Sequence, residues 1–321
     1  MMHNNNNEIF IICGNSRSGK TSFSNFIKKK NNKNLINTGM ESLLALNSSR
    51  FILNKEKINF EMINYFYSRR FEGKDRNVNL SLCDYFDQKE LNNFIRNFNF
   101  KYKNLSKNIV DFLIEYSDNF KKDIFFLDLN FEFYIEKYFN KYKNVNILYF
   151  TRNLSEILRE VTLFRDLSKA GRAEKNILEK IYLNYFFSKK IIKRLSKKFN
   201  TYFLNYNEII LKNNKDLIKL SNNYFEKINF DELFQNNRNN TNKITEDIEN
   251  YIEALSQFNI NLFSINIFKL RFFFIIKFFL IYFLYFLNKN RVGFFISLLT
   301  NNKNYFTQFF NFSKKLIIDN I

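Results

Sequence analysis

The stretch IICGNSRSGKTSF, residues 11 to 23, constrains the fold of this chain more than any other. A short apolar run rich in isoleucine ends at Gly14, and the spacing that follows is glycine, four residues, glycine, lysine and threonine. In a turn between a buried strand and a helix, backbone N–H groups point into a hollow, and the helix dipole favours an anion there. The stretch therefore predicts a phosphate-binding loop.

Each residue type in this loop suits that chemistry. Gly14 and Gly19 let the backbone bend and approach a phosphate closely. Lys20 is placed to reach the outer phosphate oxygens, and the Thr21 hydroxyl to meet phosphate or a metal. The predicted binding set within the loop is Gly14, Ser16, Arg17, Ser18, Gly19, Lys20, Thr21 and Ser22.

Apolar runs alternate with amphipathic segments along most of the chain, which is typical of a parallel, doubly wound sheet. Strands are expected at residues 8–13, 35–42, 123–129, 145–153 and 200–209, and helices from residue 20, within 85–120, at 131–142 and at 244–255. We expect an α/β protein: a P-loop three-layer fold with a mostly parallel central sheet in residues 1–262. A basic, phenylalanine-rich helical extension follows in residues 263–321.

The formal net charge of +19 attracts anions such as phosphorylated cofactors, acidic glycans or an anionic membrane surface. No zinc-finger, RNA-recognition or helix-turn-helix signature is present, so nucleic acid is not an expected partner. The two cysteines, Cys13 and Cys83, form no disulfide framework or metal-ligand pattern. The single histidine, His3, lies in a polar asparagine-rich segment and is not expected to act as a base.

With this loop and with later segments, the chain resembles the sulfotransferase family, particularly its bacterial and carbohydrate-type members. Their phosphosulfate-binding loop commonly reads Gly-x-x-Arg-Ser-Gly-Thr-Ser/Thr, and here the run is Gly-Asn-Ser-Arg-Ser-Gly-Lys-Thr from residue 14. Lys20 stands where the family has threonine, which shifts the loop towards the kinase type. The resemblance covers residues 9 to about 258, with its blocks in the family's order.

The second block of the resemblance is NILYFTRNLSEILRE, in which Arg152 follows a predicted strand. In the family this arginine binds the 3′-phosphate of the nucleotide, so the resemblance implies that role for Arg152, with Ser155 beside it. Glu160 stands where the family has a serine. The segments TYFLNYNEIILK and ITEDIENYIEAL resemble the family's later blocks.

The resemblance implies transfer of a sulfuryl group from 3′-phosphoadenosine-5′-phosphosulfate to a hydroxyl or amine of a carbohydrate or lipid-linked glycan, with no metal required. Glu41 lies where several members have a catalytic glutamate, so the resemblance implies that it is the base. The alternative is that Glu41 only stabilises the N-terminus of a helix. Lys20 and Arg17 complete the implied catalytic set, because the departing phosphate needs positive charge.

Two alternatives remain open. In a magnesium-dependent kinase or NTPase, ATP would replace the sulfate donor, and Asp128, at the end of the apolar run IFFLD, would join Thr21 as a metal ligand. Asp128 also fits a plain helix-capping role. In a non-catalytic membrane-associated protein the phosphate loop would be degenerate, which the glutamate at position 160 suggests.

Phe272 to Leu287 is an apolar stretch of 16 residues interrupted only by Lys277. A spanning helix needs about 20 apolar residues, so this one is short. Lys269 and Arg271 precede it, and Lys289 and Arg291 follow it. A membrane-surface anchor, a short spanning helix and a helix packed on the protein's own core all fit. We favour peripheral contact at the inner face of a membrane by an otherwise cytoplasmic protein.

Overall fold

The computed structural model describes a parallel sheet, helices around it and the C-terminal apolar helix. The described residues are 7–15, 17–30, 35–37, 89, 93, 96–97, 105–121, 123–127, 131–164, 171–225, 244–258, 270–289 and 292–300. They group into two compact units. The first contains residues up to 151, apart from 15–17, together with 194–225; the second contains residues 15–17, 152–193 and the described residues from 244 onwards. The predicted boundary at residue 262 lies outside the described residues.

The first unit is built on a five-stranded parallel sheet in the order β2-β3-β1-β4-β5. The strands are β1 (Ile9–Gly14), β2 (Leu35–Asn37), β3 (Asp123–Leu127), β4 (Val145–Thr151) and β5 (Asn200–Asn205). Every residue of β1 is buried, as its continuous apolar sequence predicts for a central strand covered on both faces. The predicted α/β class with a parallel sheet is confirmed.

Helices cover both faces of this sheet. Successive side chains of a strand point to opposite faces, so a strand that is apolar throughout needs a cover on each face. On one face, Phe10 stacks on Phe125 with ring centroids 4.4 Å apart, and Phe23 of α1 (Lys20–Lys30) packs 5.1 Å from Phe150. On the other face, Phe126 meets Phe139 of α3 (Ile135–Phe139) at 5.1 Å. Helix α2 (Leu105–Asn119) packs against β3.

Two segments differ from the sequence prediction, and in the first of them short side chains cap helices. The expected strand over residues 200–209 ends at Asn205, whose side-chain oxygen accepts hydrogen bonds from the N–H groups of Asn207 and Glu208 and starts α6 (Tyr206–Ile210). Asn214 caps α7 (Lys215–Tyr224) in the same way. The expected helix over 131–142 is a 3-10 turn at Phe131–Phe133 followed by α3.

The order of the strands fixes where a ligand is expected to bind. From β1 the chain runs to β2 on one side of the sheet, and from β4 it runs to β5 on the other. In open parallel sheets, ligands bind outside the carboxyl ends of two neighbouring strands whose connections leave in opposite directions. Here those strands are β1 and β4, paired through Gly14 and Phe150.

The second unit is helical. Its helices are α4 (Leu154–Phe164), α5 (Gly171–Leu195, of which residues up to 193 belong to this unit), α8 (Glu246–Gln257), α9 (Phe272–Leu287) and α10 (Val292–Thr300). α8 packs against α4, and α9 against α10. The bounds of α9 are those of the apolar stretch seen in the sequence. No helix among the described residues has both the length and the apolar character needed to cross a bilayer.

A buried ion pair holds α9 to α5. The guanidinium of Arg271 donates to both carboxylate oxygens of Glu179, at 2.6 and 2.5 Å, and the hydroxyl of Tyr251 donates to the same carboxylate at 2.7 Å. Glu179 is 1% exposed. A carboxylate this deeply buried is stable only when its charge is paired and its oxygens are hydrogen-bonded. Arg271, one of the predicted basic flanks of the apolar stretch, is therefore half-buried and held by this carboxylate.

The inner face of α9 packs on aromatic residues of α5 and of the segment after α8. Phe278 lies 5.1 Å from Phe186 and 5.0 Å from Phe258, and Phe274 lies 5.6 Å from Tyr182, measured between ring centroids. The buried positions of α9 are Phe274, Phe278, Ile281 and Tyr285. Their spacing of three and four residues is that of one helix face. The interpretation of this stretch as a helix packed on the protein's own core therefore holds for this face of the helix.

Replacing Gly14 with alanine is expected to destabilise the sheet. A Cβ at this position would lie 2.2 Å from the carbonyl oxygen of Phe150, and φ is +115°, a conformation that alanine rarely adopts. Overpacking and backbone strain together predict a loss of about 2 to 5 kcal/mol. Urea unfolding measures it, with Ser22→Ala, an exposed position of α1, as the control. A loss no larger than that of the control would contradict this packing.

Removing the Arg271 guanidinium is expected to leave a buried, unpaired carboxylate. Arg271→Ala should lower the free energy of unfolding by about 3 to 5 kcal/mol. The matched control is Arg159→Ala, since the Arg159 pair with Glu249 is partly exposed and should contribute about 1 kcal/mol or less. Thermal and urea unfolding of the two variants test the difference, and equal losses would show that burial of Glu179 does not matter.

Candidate functional site

The connection from β1 to α1, residues Gly14 to Thr21, is called the glycine loop below. It turns sharply, with left-handed φ values of +115° at Gly14, +59° at Arg17 and +95° at Gly19. Gly14 is the last residue of β1, and the absence of a side chain lets its backbone lie against Phe150 of β4. The loop therefore starts at the carboxyl edge of β1 and β4, where a ligand is expected from the strand order.

Lys20, the first residue of α1, turns its side chain back into the glycine loop. Its ammonium group donates a 2.8 Å hydrogen bond to the carbonyl oxygen of Gly14, and the residue is only 7% exposed. Buried lysines are rare and need a partner for their charge. The Gly14 carbonyl holds the ammonium at the strand end, and the same position suits an ion pair with an entering anion.

A second charge at this strand end comes from Glu132, in the 3-10 turn after β3. Its carboxylate oxygen accepts a 3.3 Å hydrogen bond from the Gly14 N–H, and the residue is 1% exposed. Burial raises the pKa of the Cys13 thiol; the Glu132 carboxylate raises it further, whereas the Lys20 ammonium lowers it. A carboxylate and an ammonium thus lie near the end of β1, and they shift the pKa of Cys13 in opposite directions.

Sequence reasoning did not select Glu132, because the segment FEFYIEKYFNKY resembles an ordinary amphipathic helix. One signal was present in the sequence: a carboxylate between two phenylalanines, shortly after a buried strand. An acidic residue in such surroundings is seldom buried without a task in pairing or chemistry. Beside the start of the glycine loop, Glu132 can hold a proton, orient the loop backbone or ligate a cation.

Arg152, the predicted ligand of a 3′-phosphate, follows β4 directly. In the second unit its guanidinium donates to Glu156 at 2.8 Å and lies 3.7 Å from Glu160. Glu160 therefore turns towards Arg152. A phosphate at Arg152 would have to displace these carboxylates or be joined by further positive charge.

Ser155, the other predicted residue of this block, lines a cavity of about 660 Å³ within the second unit. We call it the lysine cavity, because Lys189, Lys190 and Lys193 of α5 line it and, among the described residues, no acidic side chain does. The other described residues of its wall are Asn153, Leu154, Tyr182, Tyr185, Phe186, Ser256, Gln257 and Phe258. Three ammonium groups and the first turn of α4 make this a region of positive potential.

The structure describes most of the predicted loop. Ser18 and Lys20 are buried, Thr21 is half-buried, and Ser22 is exposed on α1. Ser16, Glu41 and Asp128 lie outside the described residues, so the predicted catalytic glutamate and the predicted magnesium ligand stay predictions. Among the described residues, no group of three or more histidine, cysteine, aspartate or glutamate side chains is arranged to hold a metal ion.

Comparison of the chain with profiles of known protein families, with curated proteins and with solved structures gave no match. What the chain does must therefore be argued from its own residues.

The opposite effects of Glu132 and Lys20 on Cys13 give a direct test of this arrangement. In a Cys83→Ser background, Glu132→Gln is expected to lower the pKa of Cys13, because it removes a nearby negative charge. Lys20→Met is expected to raise the same pKa. The carbon-13 chemical shift of the labelled Cys13 Cβ, followed as pH rises, measures both shifts. Shifts in the same direction, or none, would show that the two charges do not meet at this strand end.

Proposed function

We propose that the glycine loop binds the phosphate groups of a nucleotide and that the chain is a sulfotransferase-like P-loop enzyme. The observation that carries the proposal is the buried Lys20 ammonium, hydrogen-bonded to the Gly14 carbonyl at the end of the central strand. A lysine on an ordinary surface helix would extend into solvent. A lysine whose task is to meet a phosphate is held inside the loop.

In the proposed reaction, a hydroxyl or amine of the acceptor attacks the sulfur of 3′-phosphoadenosine-5′-phosphosulfate. The new bond joins the acceptor atom to sulfur, and the bond between sulfur and the bridging phosphate oxygen breaks. The acceptor proton passes to a base, for which Glu41 is the candidate from the family resemblance. Arg17 and Lys20 would stabilise the charge on the departing adenosine 3′,5′-bisphosphate.

Sulfuryl transfer is supported by the Arg-Ser-Gly sequence inside the loop and by an arginine directly after β4. The proposed acceptor is a carbohydrate or lipid-linked glycan. We also propose a cytoplasmic location at the periphery of a membrane, which would bring the enzyme to a membrane-proximal acceptor.

A second candidate is a magnesium-dependent kinase or NTPase that uses ATP. Two observations favour it: lysine at position 20, where the sulfotransferases have threonine, and the buried carboxylate of Glu132 at the loop. A carboxylate beside bound phosphates repels them unless a cation lies between, and magnesium is the usual one. In this candidate Thr21 and Asp128 are the predicted magnesium ligands.

Thermal unfolding of the full chain separates these candidates. It is measured with adenosine 3′,5′-bisphosphate and with ATP, each in the presence and absence of magnesium. A ligand at 100 times its dissociation constant stabilises the native state by about 2.7 kcal/mol. Stabilisation by the bisphosphate without metal supports sulfuryl transfer, and stabilisation only by ATP with magnesium supports the kinase. No stabilisation by either ligand would contradict nucleotide binding and leave the non-catalytic interpretation.

Replacing Lys20 with methionine is expected to reduce nucleotide binding at least tenfold, because a buried charge–phosphate pair contributes more than about 1.4 kcal/mol. Lys215→Met, which removes an exposed lysine at the start of α7, is the matched control and should bind like the wild type. Calorimetric titration with the ligand that stabilises the wild type measures both. Equal affinities in the two variants would remove Lys20 from the site.

A further inference from the structure

The outer face of α9 presents a continuous apolar surface. Its exposed side chains recur every three or four residues, so they share one face of the helix, opposite the face that packs inside the second unit. The main members, here called the apolar stripe, are Phe272, Phe273, Ile276, Leu280, Phe283, Phe286 and Leu287, each between 42 and 70% exposed. Seven large apolar side chains exposed on one helix face mark a surface that contacts an apolar partner.

The charge of the sequence around α9 indicates what that partner is. Between residues 259 and 318 the sequence has eight lysines and arginines, one of them the Arg271 that pairs with Glu179, and no aspartate or glutamate. Lys277 lies on α9 itself, and Lys289, two residues after the end of the helix, is exposed. A protein partner with an apolar groove would not require this bias, whereas the surface of an anionic bilayer attracts it.

The lysine cavity borders the same stripe. The ammonium of Lys190, which lines the cavity, lies 5.0 Å from the ring centroid of Tyr282 on α9 and 5.2 Å from that of Phe186. Tyr282 in turn packs edge-to-face on Phe286, a member of the stripe, at 5.0 Å. Lys190, the half-buried Tyr282 and the exposed Phe286 thus follow one another on the second unit.

We propose that the second unit docks on an anionic phospholipid bilayer: the apolar stripe enters the boundary between headgroups and acyl chains, and the lysine cavity receives lipid phosphates. α9 lies in the plane of the surface, where its 16 residues extend for about 24 Å. The proposal names the surface and the lipid class for the peripheral association proposed above. It does not depend on nucleotide binding by the glycine loop.

Flotation of the full chain with vesicles tests the docking surface. The wild type is expected to float with phosphatidylcholine vesicles that contain about one third phosphatidylglycerol, and at least tenfold less with phosphatidylcholine alone. Ile276→Gln/Phe283→Gln should reduce binding to anionic vesicles at least tenfold. The matched control, Leu211→Gln/Ile218→Gln, changes exposed apolar residues of the first unit and should bind like the wild type.

The lysines have their own pair of variants. Lys189→Gln/Lys193→Gln should weaken binding to anionic vesicles severalfold more than Lys197→Gln/Lys215→Gln, which removes the same charge from exposed positions outside the cavity. Equal losses would show that only total charge matters and would overturn the role of the cavity. Inorganic phosphate at constant ionic strength distinguishes the two phosphate sources: release of the protein from vesicles would show that the cavity prefers free phosphate to a headgroup.

Two results would overturn the proposal as a whole. One is equal flotation of the wild type and the stripe variant. The other is a lipid-free wild type that light scattering shows to be a dimer and that the stripe variant converts to a monomer, since a second copy would then cover α9. The thermal-shift panel with nucleotides is measured on the same variants, so a failure of membrane docking is distinguished from a failure of nucleotide binding.

Discussion

The candidate site depends on one close approach between two backbones. Gly14 ends the central strand so near to Phe150 that no side chain fits between them, and the chain turns there into the glycine loop. Lys20, six residues after Gly14, then turns its side chain back and donates a hydrogen bond to the Gly14 carbonyl. A larger residue at position 14 would push β1 away from β4 and move the lysine with it. The packing of the sheet and the placement of the charge are therefore a single constraint.

A different constraint orders the helical unit. Because Glu179 is buried, Arg271 must stay with it, and this pair fixes the start of α9 against α5. The helix then has an inner aromatic face that is buried and an outer apolar face that is exposed. The exposure of the outer face is thus a consequence of how the helix is anchored. Among the described basic residues next to α9, Lys289 is exposed.

Much of this fold follows from local sequence. The central strand, the turn at Gly14 and the bounds of the apolar helix were predictable, since each is set by short-range patterns of apolar residues and glycine. Asn205 ended a strand that the pattern extended, because side-chain capping competes with strand pairing. Glu132 was missed because only the tertiary fold brings the turn after β3 to Gly14. The pairing of Arg152 with Glu156 and Glu160 likewise needed the helix to form.

The central claim is that the glycine loop takes phosphate, and the backbone amides of the loop report on it most directly. Inorganic pyrophosphate is titrated into the isotopically labelled full chain while amide chemical shifts are followed. The account predicts saturable shifts at Gly19, Lys20 and Thr21, which disappear in the Lys20→Met variant. Shifts confined to the lysines of α5, or none at all, would contradict it.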